Sequence, residues 1–277
     1  MTVSYEGSDY HLHDWDPFII HFSENFGIRW YGFAYVLGFL SASWLLAYYF
    51  KKQKSPFDKE QQFNVLMILI AGVMLGGRLG YMVLYDLDTL VKTPWKIIQV
   101  WKGGMASHGG IVGLVAAVAY VSRRHKLPFW KVADLTVTLG PAGVLFGRLA
   151  NYINGELWGT YSTVPWAVVF PAASPYGIPR HPSQLYEAAL EGLLVLVFLQ
   201  WRFRKSRITT VHPGQLSGEF FLLYAIARIL GEQFREPDAD LILGLSRGTF
   251  YSAIMLITGI MFIVRARKSQ AATSGKA

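Results

Sequence analysis

The chain has 277 residues, 52% of them hydrophobic and 15% aromatic, and carries a formal net charge of +8. It contains no cysteine, which excludes a disulfide, a thiolate metal site or a cysteine nucleophile of its own, so any thiol in its chemistry belongs to a substrate. The positive charge suggests a nucleic-acid partner until its placement is considered, and that placement argues for a membrane instead.

The apolar residues fall into seven blocks, at 30–50, 64–85, 108–121, 130–154, 184–201, 214–234 and 244–264. A bilayer crossing takes about 20 helical residues. The third block is short and glycine-rich and makes the weakest span. The expected fold is all-α: a polytopic membrane protein with seven transmembrane helices.

Sixteen of the 26 Lys and Arg follow blocks one, three, five and seven, in clusters such as Lys51, Lys52 and Lys54, or Arg202, Arg204 and Lys205. Every second connection is therefore basic, which places those connections in the cytoplasm. The N-terminus is then periplasmic and the C-terminus cytoplasmic. The expected parts are a periplasmic segment 1–29, a membrane domain 30–264 with outer loops 86–107 and 155–183, and a cytoplasmic tail 265–277. No cleavable signal peptide is expected, because the first apolar block is too long for a signal core and lysines follow it.

In chain order, the segment 1–29 is polar and aromatic and holds His11 and His13, a pair expected to be solvated, with a metal site as the lesser reading. Trp30 and Tyr31 open the first block, where aromatic residues mark the membrane interface. Block two carries Gly76, Gly77, Arg78, Leu79, Gly80 and Tyr81; its small residues let helices approach closely. The connection 86–107, with Trp95, Lys96, Trp101 and Lys102, reads as a segment resting on the membrane surface. His108 then stands at a helix start before Gly109 and Gly110. The positive end of a helix dipole favours neutral imidazole and attracts anions, a setting that suits a general base. A structural histidine is the plainer alternative.

The stretch 147–159 runs Gly-Arg-Leu-Ala-Asn-Tyr-Ile-Asn-Gly-Glu-Leu-Trp-Gly and starts inside an apolar block. A charged side chain at membrane depth costs roughly 2.5–3.5 kcal/mol on insertion scales, so Arg148 there points to function. Arg148, Asn151 and Asn154 recur every three residues along one helical face. The connection 160–180 is expected to fold over the outer face. Glu187 and Glu191, four apart, enter block five as paired carboxylates that need partners. In block six Arg228, Glu232 and Arg235 form one stripe, whose two guanidiniums around one carboxylate suggest an excess of positive charge suited to phosphate. Residues 269–277 read as disordered. No internal repeat of the transporter kind is visible.

With the expected topology, Tyr31, Arg78, His108, Arg148, Glu187 and Arg228 all fall at the outer side. Such one-sided clustering suits chemistry on a lipid headgroup better than an ion path, although an anion transporter remains the rival reading.

The segments 29–32, 77–80, 107–113, 147–159, 180–187 and 228–238 resemble the bacterial prolipoprotein diacylglyceryl transferases, in family order along nearly the whole chain. Tyr152 and Ala150 stand where phenylalanine and glycine are common in that family; neither change removes a chemical group. The resemblance implies transfer of diacylglyceryl from phosphatidylglycerol to the lipobox cysteine of a prolipoprotein signal peptide in the bacterial inner membrane. A thioether forms and glycerol phosphate leaves. It implies His108 as base or its orienting partner, and Arg148 and Arg228 as the phosphate clamp. Asn151, Asn154, Glu156 and Gly159 would shape the pocket, Glu232 and Arg235 would support it, and Tyr31 and Arg78 would contact the headgroup. No cofactor and no metal is expected, since arginines can supply the electrophilic charge. A headgroup transferase with a different acceptor is the nearer alternative.

Overall fold

The computed structural model describes residues 1–23, 26–99, 104–206, 208–237 and 240–274. The strands are β1 (Thr2–Tyr5), β2 (Ser8–Leu12), β3 (Phe18–Ser23) and β4 (Phe26–Arg29), followed by helices α1 (Trp30–Lys51), α2 (Lys59–Tyr85) and α3 (Leu87–Lys92). A 3-10 turn at Pro94–Ile98 precedes α4 (Ser107–Arg124), α5 (Phe129–Val137) and α6 (Gly140–Ile153). Then come β5 (Val168–Val169), β6 (Pro179–Arg180), α7 (Ser183–Glu187), a π-helical segment Ala188–Leu194 and α8 (Val195–Lys205). The short α9 (Ile208–Val211) leads to α10 (Gln215–Glu232) and α11 (Arg247–Ser274).

Every apolar block coincides with helix. Among the described residues, four helical stretches are long and apolar enough to cross a membrane: Trp30–Lys51, Lys59–Tyr85, Phe129–Ile153 and Arg247–Ser269. Local chemistry sets their ends. Asp58 caps α2 by accepting from Gln61 N at 2.8 Å while the Gln61 side chain accepts from Asp58 N, a reciprocal box that satisfies two orphan donors. Pro141, which has no N–H to give, stands in the first turn of α6 and separates it from α5.

The chain divides into two compact units, one of Met1–Ala42 with Val137–Ala277 and one of Ser43–Thr136. In the second, α2 and α4 pack through glycines. A Cβ on Gly80 would lie 2.6 Å from Gly109 Cα, and one on Gly76 would lie 2.7 Å from Gly113 Cα. That spacing admits no side chain and lets the two backbones touch. In this unit α3 and the 3-10 turn bury no residue, and Leu87, Val91, Trp95 and Ile98 are exposed, as a surface-resting segment would present them. Trp101 and Lys102 lie outside the described residues.

The first unit corrects the all-α expectation. Its four-stranded sheet runs β1-β2-β5-β6, with β2 parallel to β5 and the other pairs antiparallel, and β3 pairs with β4 in a separate hairpin. The sheet has apolar cores of its own: Tyr10, Ala167 and Val169 on one side, Val168, Phe170 and Ala173 with Tyr152 and Trp158 on the other. The segment read as a polar tail is thus folded, and His13, expected to be solvated, is 4% exposed. At the other end α11 carries on to Ser274, further than the expected onset of disorder at 269; residues 275–277 lie outside the described residues.

Candidate active site

A buried guanidinium needs acceptors for its donors, and in the first unit shared carboxylates supply them to three arginines. Arg148 projects from α6, with Nη1 2.9 Å from Glu187 Oε2 and Nη2 2.9 Å from Glu191 Oε2. Arg228 projects from α10, with Nη1 2.6 Å from Glu187 Oε1 and 3.0 Å from Glu191 Oε1, while its Nη2 is 2.7 Å from Glu232 Oε2. Arg235 Nη1 reaches Glu187 Oε1 at 3.2 Å, and the Tyr224 hydroxyl donates to Glu191 Oε2 at 3.0 Å. Glu187 and Glu191 are fully buried, whereas the side chains of Arg148 and Arg228 keep 16% and 14% of their surface exposed.

This arrangement corrects the expected charge excess. The arginine stripe does face inward, but Glu187 and Glu191 join Glu232, so three guanidiniums meet three carboxylates. The surplus read from Arg228, Glu232 and Arg235 alone is neutralised by carboxylates 37 and 41 residues before Arg228 in sequence. Glu191 lies within the π-helical turn that follows Glu187. Such turns are uncommon and recur at functional sites. The sequence signals that Glu187 and Glu191 need partners without showing which, and Tyr224 carries no signal at all.

The stretch after Arg148 turns away from the ion network. Asn151 Nδ2 donates to Glu156 Oε1 at 2.8 Å and Asn154 Nδ2 to the same oxygen at 3.3 Å, while Asn154 Oδ1 is buried without a partner. The chain closes this loop by two left-handed residues, Gly155 (φ +63°) and Leu157 (φ +59°). From α7, Gln184 Nε2 donates to Glu156 O at 2.7 Å and Ser183 Oγ to Leu157 O at 3.1 Å. Gly159 ends the stretch under main chain on both sides: a Cβ there would lie 2.5 Å from His181 O, and it would also meet the Phe234 carbonyl. Gly159 N donates to His181 O at 3.0 Å, and Arg180 Nη1 donates to Gly159 O at 3.2 Å. The structure therefore brings Asn151, Asn154 and Glu156 together, joins Arg148, Arg228, Glu232 and Arg235, and packs Gly159 as a contact between backbones. Tyr31 lies in the first turn of α1, partly exposed, with its ring 5.4 Å from that of Tyr35.

Within the second unit, His108 is exposed in the first turn of α4, as the sequence suggested. Arg78 is 7% exposed and donates to three main-chain carbonyls, from Nε to Ile97 O at 3.3 Å, Nη1 to Gly104 O at 3.2 Å and Nη2 to Lys96 O at 2.9 Å. A fork used in this way braces the connection before α4, where the sequence reading had it contact a headgroup. Among the described residues no group of three or more His, Asp or Glu is placed to hold a metal ion.

Outside the spans, burial lowers the pKa of His181, which lies beside Tyr186 with Nδ1 3.2 Å from its hydroxyl. Burial likewise lowers that of His13.

Residues 17–265 match the family model described as prolipoprotein diacylglyceryl transferase. The chain is 44% identical over 256 residues to the phosphatidylglycerol–prolipoprotein diacylglyceryl transferase of Rhizobium meliloti (strain 1021), covering 88% of this chain and 90% of that protein. It is 41% identical over 261 residues to the protein of that name from Mannheimia succiniciproducens, covering 93% and 95%. It is 38% identical over 275 residues to that from Shewanella oneidensis, covering 98% and 100%. A match of this extent, over a buried arginine–carboxylate network and the loop that leaves it, places the chain in the prolipoprotein diacylglyceryl transferase family.

Proposed function

We propose that this membrane protein transfers the diacylglyceryl group of phosphatidylglycerol to the cysteine thiol of a prolipoprotein, the lipobox cysteine of its signal peptide. The carbon–oxygen bond between the diacylglyceryl carbon and the phosphate breaks, a carbon–sulfur bond forms, and glycerol phosphate leaves with the bonding pair. The thiol gives up its proton, because the thiolate is the nucleophile.

The observation that carries the reading is the pair Arg148 and Arg228, each buried but for one face and held by shared carboxylates. Fixed guanidiniums match phosphate oxygens in pairs and stabilise charge that grows on a leaving group without moving to do so. Glu187 and Glu191 hold them in that pose, and Glu232 and Arg235 extend the network. The Asn151–Asn154–Glu156 cluster takes the glycerol end: the unpartnered Asn154 Oδ1 offers an acceptor to a headgroup hydroxyl. His108 is the candidate proton acceptor. Tyr31 contacts the headgroup, and Arg78 braces the connection before α4. Arginine charge suffices for the step, with no cofactor required.

We place seven crossings along the chain, at α1, α2, α4, α5 with α6, α7 through α8, α10 and α11, with the N-terminus periplasmic and the C-terminus cytoplasmic. Strand pairing supports this. Leu12 pairs with Val169 in one sheet, so both lie on one side of the membrane and the chain between them crosses an even number of times. The four passages α1, α2, α4 and α5 with α6 meet that parity, and the basic connections then fix the side. The segment 1–29 and the loops 86–107 and 155–183 are periplasmic, 30–264 is the membrane domain and 265–277 the cytoplasmic tail. The active site faces the periplasm from the inner membrane.

The test uses purified protein, phosphatidylglycerol and a lipobox peptide, with the peptide mass followed over time. A diacylglyceryl-sized gain with the wild type, absent with Arg148→Ala, is expected. No gain from folded, lipid-binding wild type would point to another acceptor.

A further inference from the structure

The first sixteen residues precede the part of the chain that matches the family model, yet they reach the Asn151–Gly159 loop. Main-chain pairing brings them there: His11 pairs with Val168 and Leu12 with Val169, and His13 N donates to Val169 O at 2.9 Å. The His13 ring then lies among Trp15, Tyr152 and Phe170, with centroid distances of 6.1, 5.1 and 5.2 Å. It also covers the left-handed turn at Gly155, where a Cβ would lie 3.3 Å from both Cε1 and Nδ1 of the ring. Its Nε2 is buried without a partner.

The same sheet holds the loop at a second point. Val168 pairs with Arg180 in β6, and Arg180 donates to Gly159 O. The loop that carries Asn151, Asn154 and Glu156 is thus gripped at Gly155 through β2 and at Gly159 through β6.

We infer that His13 is a positioning residue for the headgroup site, acting through Tyr152 and Gly155 on the Asn151–Asn154–Glu156 cluster. This rests on the reading that the cluster binds the headgroup. The structural argument is one of redundancy. A histidine contributes little to an aromatic core that phenylalanine would not, and it leaves Nε2 unsatisfied, a loss a buried polar atom does not sustain for packing alone. What the imidazole adds is its two nitrogens, with Nδ1 over the Gly155 turn and Nε2 unpartnered beside the loop that carries the cluster.

The experiment measures kcat and KM for phosphatidylglycerol, with a saturating lipobox peptide, for His13→Phe, His13→Asn and Glu156→Gln, and the thermal midpoint of each. Phenylalanine keeps the ring packing and removes both ring nitrogens; asparagine keeps a polar nitrogen near the Gly155 turn and loses the packing. The expected result is His13→Phe with a midpoint at or above wild type and kcat/KM reduced roughly tenfold to a hundredfold, the scale on which a small misplacement acts. His13→Asn should recover part of that loss despite a lower midpoint. Wild-type kcat/KM in His13→Phe, or loss in both variants that tracks only their stability, overturns the inference. Glu156→Gln separates the two layers: if it is impaired while His13→Phe is not, the positioning role alone fails; if it retains full activity, the headgroup reading fails and the inference falls with it.

Discussion

Arg148 Nη2 stands 2.9 Å from Glu191 Oε2, and the other oxygen of that carboxylate stands 3.0 Å from Arg228 Nη1. One buried carboxylate therefore bridges the two guanidiniums proposed to face the phosphate. Removing its charge leaves both under-neutralised. Breaking a buried ion network by deleting one partner costs about 3–5 kcal/mol. Glu191→Gln should lower the thermal midpoint by a corresponding margin in a detergent unfolding assay; an unchanged midpoint would show that the arginines hold their places without it.

Arg148→Lys keeps the charge but replaces two prongs with one. Arg148 meets Glu187 through Nη1 and Glu191 through Nη2, and an ammonium cannot span both while facing a phosphate. Transfer in the lipobox-peptide assay should fall to near background, and near-wild-type transfer would remove the clamp from the mechanism.

His108→Asn tests the proton acceptor. If the imidazole takes the thiol proton, the variant should lose transfer at neutral pH. It should regain part of it as the pH approaches the ordinary thiol pKa, about 8.5, where thiolate forms unaided. A defect of equal size at every pH would make His108 structural.

Gly159→Ala would force a methyl group between the carbonyls of His181 and Phe234. Overpacking of this kind costs about 1–3 kcal/mol, and the variant should unfold at lower temperature. Activity should fall too, because Gly159 is where Arg180 holds the loop.

His13 gives the fold a pH dependence of known sign. Burial holds its pKa below 6.5, with His11 acting the same way and Asp14 and the Tyr152 main-chain bond opposing. The unfolded chain therefore takes up the proton first. Its contribution to stability is fully present above pH 6.5 and is lost as the pH falls through the lowered value. His181 has the same sign. The thermal midpoint should drop from pH 7 towards pH 5, and His13→Phe should flatten that slope in part, leaving the share due to His181.

The helices were legible because apolar blocks of this length admit few alternatives, and their boundaries agree within a few residues over α1, α2 and α4. The strands were not. β5 and β6 have two residues each, too few to show alternation, and the strand that joins the β1–β2 hairpin to the rest of the sheet lies beyond four apolar blocks. Arg228, Glu232 and Arg235 share a stripe by spacing, but spacing within one helix cannot show Glu187 and Glu191 arriving from α7 and the π-helical turn to cancel the charge. Arg78 read as functional because buried charge usually is; main-chain carbonyls as its partners leave no trace in a sequence. Tyr224 resembles any aromatic residue of an apolar helix until its hydroxyl is seen on Glu191.

The parallel pairing of β2 with β5 also sets an order of events. During synthesis the first strands emerge long before Val168 and Val169, and three of the four helical stretches long and apolar enough to cross a membrane lie between them. β2 has no parallel partner until the later loop is made, and the closure the two complete spans more than half of the chain. Pairing of such long range is slow, since the entropy of closure is lost before any contact is gained. The sheet that grips the Asn151–Gly159 loop is therefore completed late in biogenesis, and a bulky fusion at Met1 would trail through that final step.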